Sequence, residues 1–139
     1  MQVREIMSTN VDWIPPDMPV LDAARRMRDE DIGSLPVGEN DRLIGMVTDR
    51  DLVIRLLAAG KDVRSATVRD AMSGKLLYCR EDQNVEEVAR NMGENQVRRL
   101  PVVNSDKRLV GIVSIGDIAK RGSEKSAGEA LHNIAESGR

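Results

Sequence analysis

Two short stretches of this chain place a hydroxyl and a carboxylate where both can meet a sugar phosphate. Gly45-Met46-Val47-Thr48-Asp49-Arg50-Asp51 and Gly111-Ile112-Val113-Ser114-Ile115-Gly116-Asp117 each end an apolar run at Thr or Ser, with Asp three positions on. In helix grammar this is a capping box, with Thr48 or Ser114 at the N-cap and the acid near N3. The same geometry also suits a ligand. A carboxylate at a helix start accepts both hydroxyls of a ribose diol, and a hydroxyl beside exposed backbone amides holds a phosphate. The two uses are compatible. A cap tolerates Glu, Gln or Asn at the acidic place, so a short carboxylate in both copies favours ligand contact.

The side-chain inventory removes other chemistry. One histidine, His132, and one cysteine, Cys79, do not make a Cys/His zinc site of the usual kind in one chain. A Ser-His-Asp or Cys-His nucleophile would need His132, which sits in an Ala/Glu/Ser-rich tail with no nucleophile elbow nearby. Neither a Walker-type loop nor G-x-G-x-x-G is present. The expectation is therefore no enzyme, no metal and no resident cofactor. Net charge is −2, with 21 Lys+Arg against 23 Asp+Glu, so no basic field exists to hold nucleic acid. The apolar runs are too short for a bilayer, no signal-peptide pattern opens the chain, and a single cysteine suits a reducing compartment. A cytoplasmic protein is expected.

The elements that must position these motifs come in duplicate. Val3-Arg4-Glu5-Ile6-Met7-Ser8 returns as Val68-Arg69-Asp70-Ala71-Met72-Ser73, and Ile32-Gly33-Ser34-Leu35-Pro36-Val37 as Val97-Arg98-Arg99-Leu100-Pro101-Val102. Such duplication predicts two similar modules related by pseudo-twofold symmetry. Each reads short helix, strand, helix, strand, strand, helix. In the first, Val11 to Ile14 is extended until Pro15-Pro16. Val20, Ala23, Ala24 and Met27 make a helix face, matched by Val85, Val88, Ala89 and Met92. Ser34–Val37 and Leu43–Val47 are strands, and Leu52, Val53, Leu56 and Leu57 make a second helix face ending near Gly60. The fold class is α+β, helices on small sheets, with a core lacking Phe. The modules are residues 1–60 and 67–121, joined by a linker at 61–66. Residues 122–139 form a C-terminal amphipathic helix or tail, with Ala127, Ala130, Leu131, Ile134 and Ala135 at helical spacing.

The paired pattern resembles the CBS domain (cystathionine β-synthase domain), and two in tandem resemble a Bateman module. The matching pieces are Val-Arg-x-x-Met, the Leu-Pro-Val strand and Gly-h-h-Ser/Thr-x-x-Asp, h being apolar, over roughly residues 1 to 121. The run Asp41 to Asp51 is similar to small stand-alone bacterial two-CBS proteins of the hypoxic-response type, without the catalytic domain of the inosine monophosphate dehydrogenase relatives. The resemblance implies tandem CBS domains, with two small sheets packed about a pseudo-twofold axis, flanking helices and two clefts for adenosyl ligands such as AMP, ADP or ATP. It implies one cleft using Ser114 and Asp117 for phosphate and ribose, lined by Ile112, with Asn10, Asp12, Ile32, Gly33 and Ser34 around the base. The other would use Thr48 and Asp51, with Met46, Lys75, Leu77, Val97 and Arg98.

The two clefts are not equivalent. Arg98-Arg99 precede Leu100-Pro101-Val102, whereas Gly33-Ser34 stand at that place in the first repeat, with Arg50 as partial compensation. Charge-assisted phosphate contacts are the stronger kind, which favours the Asp117 cleft. Trp13 and Tyr78, in the two first strands, read as strand packing rather than base stacking. The functional expectation is a non-enzymatic adenine-nucleotide-binding regulatory module, acting on a protein effector or through its own assembly. The alternative is a dimeric scaffold with vestigial clefts. The partners expected are an adenine nucleotide and a second copy of the chain, packed through helix faces such as Val20/Ala24/Met27 and Val85/Ala89/Met92. Neither membrane nor nucleic acid is expected.

Overall fold

The computed structural model describes residues 1–136, so the last three residues of the expected tail lie outside the described residues. Two compact units form, and their division cuts across the repeats. One is the continuous segment Asp12–Leu76; the other joins Met1–Val11 to the chain from Leu77 onward.

In the continuous unit, α1 (Val20–Glu30) leads into β1 (Ser34–Glu39) and β2 (Arg42–Thr48). Then α2 (Asp49–Asp51) runs on as a wider π-helix over Leu52–Leu57, and α3 (Val68–Ala71) follows. β1 and β2 are antiparallel, with Ser34 opposite Thr48 and Val37 opposite Gly45. Asn40 and Asp41 turn the hairpin with φ of 56° and 63°, the paired left-handed conformation that matches strand twist and that Asn and Asp tolerate. The expected strand at Val11–Ile14 contributes only a single parallel bridge, Ile14 to Val37, because Pro15-Pro16 stop the pairing. Ile14, Val20, Ala23, Met27, Leu35, Val37, Val47, Leu56, Val68 and Ala71 form the core.

The second unit carries β3 (Cys79–Arg80), α4 (Val85–Asn95), β4 (Arg99–Val103), β5 (Leu109–Ser114), α5 (Ile115–Arg121) and α6 (Glu124–Ala135). β3 runs parallel to β4, and β4 antiparallel to β5. α6 buries Ala127, Ala130 and Ile134 in this unit's core, while Leu131 and Ala135 face outward. It lies close on α4: a Cβ at Gly93 would come within 3.3 Å of the Ala130 Cα. The fold is α+β, as the alternation of elements predicts.

The short segment that opens each repeat packs on the other repeat. Ser8 exchanges backbone hydrogen bonds with Ile112 of β5 at 2.8 and 2.9 Å. Ser73 does the same with Met46 of β2, at 2.9 and 3.3 Å. The first amide of α1 donates to the Ala66 carbonyl and that of α4 to the Met1 carbonyl, at 3.0 and 2.9 Å. The exchange is thus reciprocal. Each crossing needs a glycine in the strand below, because a Cβ at Gly45 would collide with the Ser73 carbonyl, and one at Gly111 would lie 2.9 Å from the Ser8 carbonyl.

Two expected helix faces differ from the sequence reading. Val20 and Met27, like Val85, Ala89 and Met92, are buried in their own units' cores, which leaves them unavailable to a second copy; Ala24 is half-buried. Of Leu52, Val53, Leu56 and Leu57, only Leu56 is fully buried and Leu52 packs part-way, while Val53 is 50% and Leu57 67% exposed. The cause is the wide turn. Ala58 N–H donates to Val53 C=O and Lys61 N–H to Leu56 C=O, five residues back in each case, so side chains lose the 3.6-residue period.

Candidate functional site

Both capping boxes form, one in each unit. The Asp51 N–H donates to Thr48 Oγ1 at 3.0 Å, and the Thr48 N–H donates to Asp51 Oδ2 at 2.9 Å. In the second unit the Asp117 N–H donates to Ser114 Oγ at 3.1 Å, and the Ser114 N–H to Asp117 Oδ2 at 2.9 Å. Each box uses one carboxylate oxygen. The other differs between copies: Asp51 Oδ1 lies 3.5 Å from Arg55 Nε, whereas Asp117 makes no ion pair among the described residues. All four side chains are half-buried where β2 or β5 passes into the first turn of the following helix, so they are held by the cap and still reachable. That arrangement offers a carboxylate oxygen to a vicinal diol without dismantling the helix start.

The unit of Asp12–Leu76 contains Met46, Thr48, Arg50, Asp51, Ile32, Gly33, Ser34, Asp12 and Lys75 of the expected site. Gly33 C=O accepts the Asp49 N–H at 2.9 Å, which ties the β1 entry to the start of α2. Ile32 packs part-way on the core, and Arg50 and Lys75 are exposed. The Met46–Ser73 bridge sets the Ser73–Lys75 segment beside β2. Asp12, expected near the base, turns its carboxylate to α1: Arg26 Nη1 donates to Asp12 Oδ1 at 2.7 Å. Glu30 shares this group, and its hydrogen bond with Asp12 holds the Glu30 carboxyl above the usual range.

The other unit contains Asn10, Leu77, Val97, Arg98, Arg99, Ile112, Ser114 and Asp117. The Ser8–Ile112 bridge sets the segment leading to Asn10 beside β5. Leu77 and Val97 pack part-way on the core. Arg98 and Arg99 are exposed, and Arg98 C=O accepts the Ile115 N–H at 3.0 Å, which anchors the arginine pair beside the start of α5. Arg98, which the resemblance lists for the Thr48/Asp51 cleft, therefore shares a unit with Ser114 and Asp117. Trp13 lies on Gly38, its Cε3 3.1 Å from where a Cβ would be, in keeping with the expected strand packing; Tyr78 is 42% exposed.

Sequence reasoning passed over Asp49. Its Oδ1 accepts the Arg50 N–H at 2.8 Å, and its Oδ2 lies 3.1 Å from the Cβ that Gly33 lacks. The signal was present in the sequence: the corresponding residue of the second repeat is Ile115, with Arg98 where Gly33 stands. Among the described residues no group of three His, Cys, Asp or Glu side chains is placed to hold a metal. His132 is exposed and pairs with Glu136 at 3.2 Å. Burial pushes the Cys79 thiol up to about 12, with Arg80 pulling weakly the other way. No helix among the described residues is long and apolar enough to cross a membrane.

The family model for the CBS domain matches residues 3–58 and 68–124. The chain is 38% identical over 134 residues to the CBS domain-containing protein YhcV of Bacillus subtilis, covering 96% of this chain and 94% of the relative. It is 44% identical over 118 residues to Hypoxic response protein 1 of Mycobacterium tuberculosis, covering 84% and 82%. The crystal structure of Hypoxic Response Protein I with two coordinated zinc ions superposes with a TM-score of 0.79 at 42% identity, over 87% of this chain and 98% of that one. The CBS domain pair of protein MJ0100, in complex with 5′-methylthioadenosine and S-adenosyl-L-methionine, superposes with a TM-score of 0.75 at 26% identity, over 86% and 98%. With its two matched segments, its duplicated motifs and its α+β units, the chain belongs to the CBS-domain family, as a tandem pair of the hypoxic-response type.

Proposed function

We propose that this chain is a non-enzymatic regulatory module that binds an adenine nucleotide and passes that signal to a protein effector or to its own assembly, in the cytoplasm. The observation that carries this reading is the Asp117 carboxylate. It is fixed by its capping box with Oδ2 engaged and no ion pair among the described residues, half-buried, in the unit that also presents Arg98 and Arg99. A diol acceptor with cations at the same end is the chemistry a ribose phosphate needs. The adenosyl ligands in the related MJ0100 pair support the same ligand class. The ligand is regulatory rather than a cofactor, and its binding has consequence only through a differential effect on two states.

Calorimetric titration with AMP, ADP and ATP tests the proposal, together with mass spectrometry of small molecules released on denaturing the purified protein. Asp117→Ala should weaken binding by about tenfold to a hundredfold, the equivalent of about 1.5–3 kcal/mol for a bidentate contact. Asp51→Ala should cost less, since Arg55 already engages that carboxylate. If Asp117 acts only as a cap, its loss lowers stability by about 1 kcal/mol and leaves affinity unchanged. That outcome ends the nucleotide role assigned to this residue.

A second reading, a dimeric scaffold, is favoured by one feature. Val53, Ile54 and Leu57 present an apolar patch on the π-helical segment, 50%, 50% and 67% exposed. Water contact there is unfavourable in proportion to the area, and a second copy would relieve it. No heat and no thermal shift with any adenosyl ligand, in a protein that is dimeric by light scattering, favours the scaffold.

A further inference from the structure

We propose that Asp49 makes the Thr48/Asp51 site selective for adenosyl ligands without a phosphate, a refinement that rests on the nucleotide reading above. The two repeats differ in charge beside their capping boxes. In the second unit Arg98 and Arg99 stand exposed beside the start of α5, and Ile115 contributes no charge. In the first unit the corresponding positions hold Gly33, Ser34 and Asp49. The Asp49 carboxylate occupies that space itself: Oδ1 takes the Arg50 N–H at 2.8 Å, and Oδ2 lies over Gly33, 3.1 Å from the missing Cβ. The protein thus supplies its own anion to the backbone donor that a phosphate would seek.

Formal charges point the same way. Gly33, Ser34, Asp49, Arg50, Asp51 and Arg55 together carry no net charge, whereas their counterparts in the second repeat, Arg98, Arg99, Ile115, Gly116, Asp117 and Arg121, carry a net charge of +2. A phosphate monoester a few ångströms from the Asp49 carboxylate, in a setting between protein and water, is repelled enough to lose about tenfold in affinity. A neutral thioether or a cationic sulfonium at the 5′ carbon meets no such repulsion. It would keep the ribose contact to Asp51. The two sites of one chain would then read different adenosyl compounds, and the ratio of phosphorylated to unphosphorylated ligand would set which is filled.

The test uses the full chain and two ligands, AMP and 5′-methylthioadenosine, which differ in bearing a phosphate or none. In Asp117→Ala, where the Thr48/Asp51 site remains, 5′-methylthioadenosine should bind at least tenfold more tightly than AMP. Adding Asp49→Asn, which keeps an acceptor for the Arg50 N–H, should raise AMP affinity about tenfold and leave the thioether unchanged. The AMP gain should shrink as salt is raised. Thermal unfolding of the double variant checks that it remains folded. Equal affinity for both ligands in Asp117→Ala, or no AMP gain on adding Asp49→Asn, overturns the proposal. So does a Thr48/Asp51 site that takes neither ligand while wild type still binds AMP, and the nucleotide reading then stands on the Asp117 site alone. If wild type binds neither ligand, both readings fall together.

Discussion

Replacing Gly45 with alanine tests the exchanged packing of the opening segments directly. The added methyl would meet the Ser73 carbonyl, and at Gly111 it would lie 2.6 Å from Met7 Sδ and 2.9 Å from the Ser8 carbonyl. Since a buried backbone cannot give way by a rotamer change, the Ser73 segment must lift off β2. Two hydrogen bonds, Ser73 N–H to Met46 and Met46 N–H to Ser73, then stretch or break. At about 1 kcal/mol net for each, plus loosened contacts of the neighbouring Met72, the loss is about 2–4 kcal/mol. Alanine's smaller unfolded-state entropy returns roughly 0.5 kcal/mol of this. In urea, with a slope of about 2 kcal/mol per molar, the midpoint of Gly45→Ala should fall by about 0.8–1.8 M at an unchanged slope. Gly128→Ala is the control. It sits on α6 with nothing among the described residues within 4 Å of the new methyl, and should raise stability by roughly 0.5–1 kcal/mol. A Gly45→Ala protein with the wild-type midpoint would refute the close crossing of Ser73 over β2.

Three further outcomes are expected. Cys79 should resist thiol reagents in the native protein and react fully in denaturant, because its thiol is buried and raised to about 12. The raised folded value means stability is intact below the unfolded thiol's range and declines as pH climbs from about 9 toward about 12, by at most roughly 1.4 kcal/mol per pH unit. Cys79→Ala should remove that part of the alkaline decline, and identical alkaline profiles for both proteins would argue against it. Leu57→Asp should convert a dimer to a 15.4 kDa monomer by light scattering, and a wild type already monomeric at micromolar concentration ends the scaffold reading. Ser114→Ala should cost about 1 kcal/mol of stability through loss of the α5 cap, read by thermal or urea unfolding.

The α+β class was legible because extended and helical apolar periods alternate and repeat at matching positions in both copies. The capping boxes were legible too, since Ser/Thr-x-x-Asp is a local device whose partners lie three residues apart. What escaped was non-local. Repetition says that Val3–Met7 and Val68–Met72 are equivalent, but nothing about which copy each one covers. The faces Val20/Ala24/Met27 and Val85/Ala89/Met92 read as apolar stripes, and a stripe is the same whether a core or a second subunit covers it. The face at Leu52–Leu57 failed for a different reason: two five-residue hydrogen bonds changed the helical period. Asp49 was hidden because its neighbour Gly33 is sixteen positions away, and its contrast with Ile115 matters only once Arg98 is seen beside the same turn.

The exchange of opening segments also sets an order of assembly during synthesis. Residues 12–76 contain a whole unit, so that unit can close as soon as its own stretch clears the ribosome. The first eleven residues have no such early partner. Ser8 must wait for Ile112, about a hundred residues later, or on the order of 5–20 seconds at ordinary elongation rates. For that interval Val3 and Ile6, both fully buried at the end, are exposed apolar residues on a nascent chain whose other half is already folded. The last strand of the second unit is therefore the event that retires this exposed end.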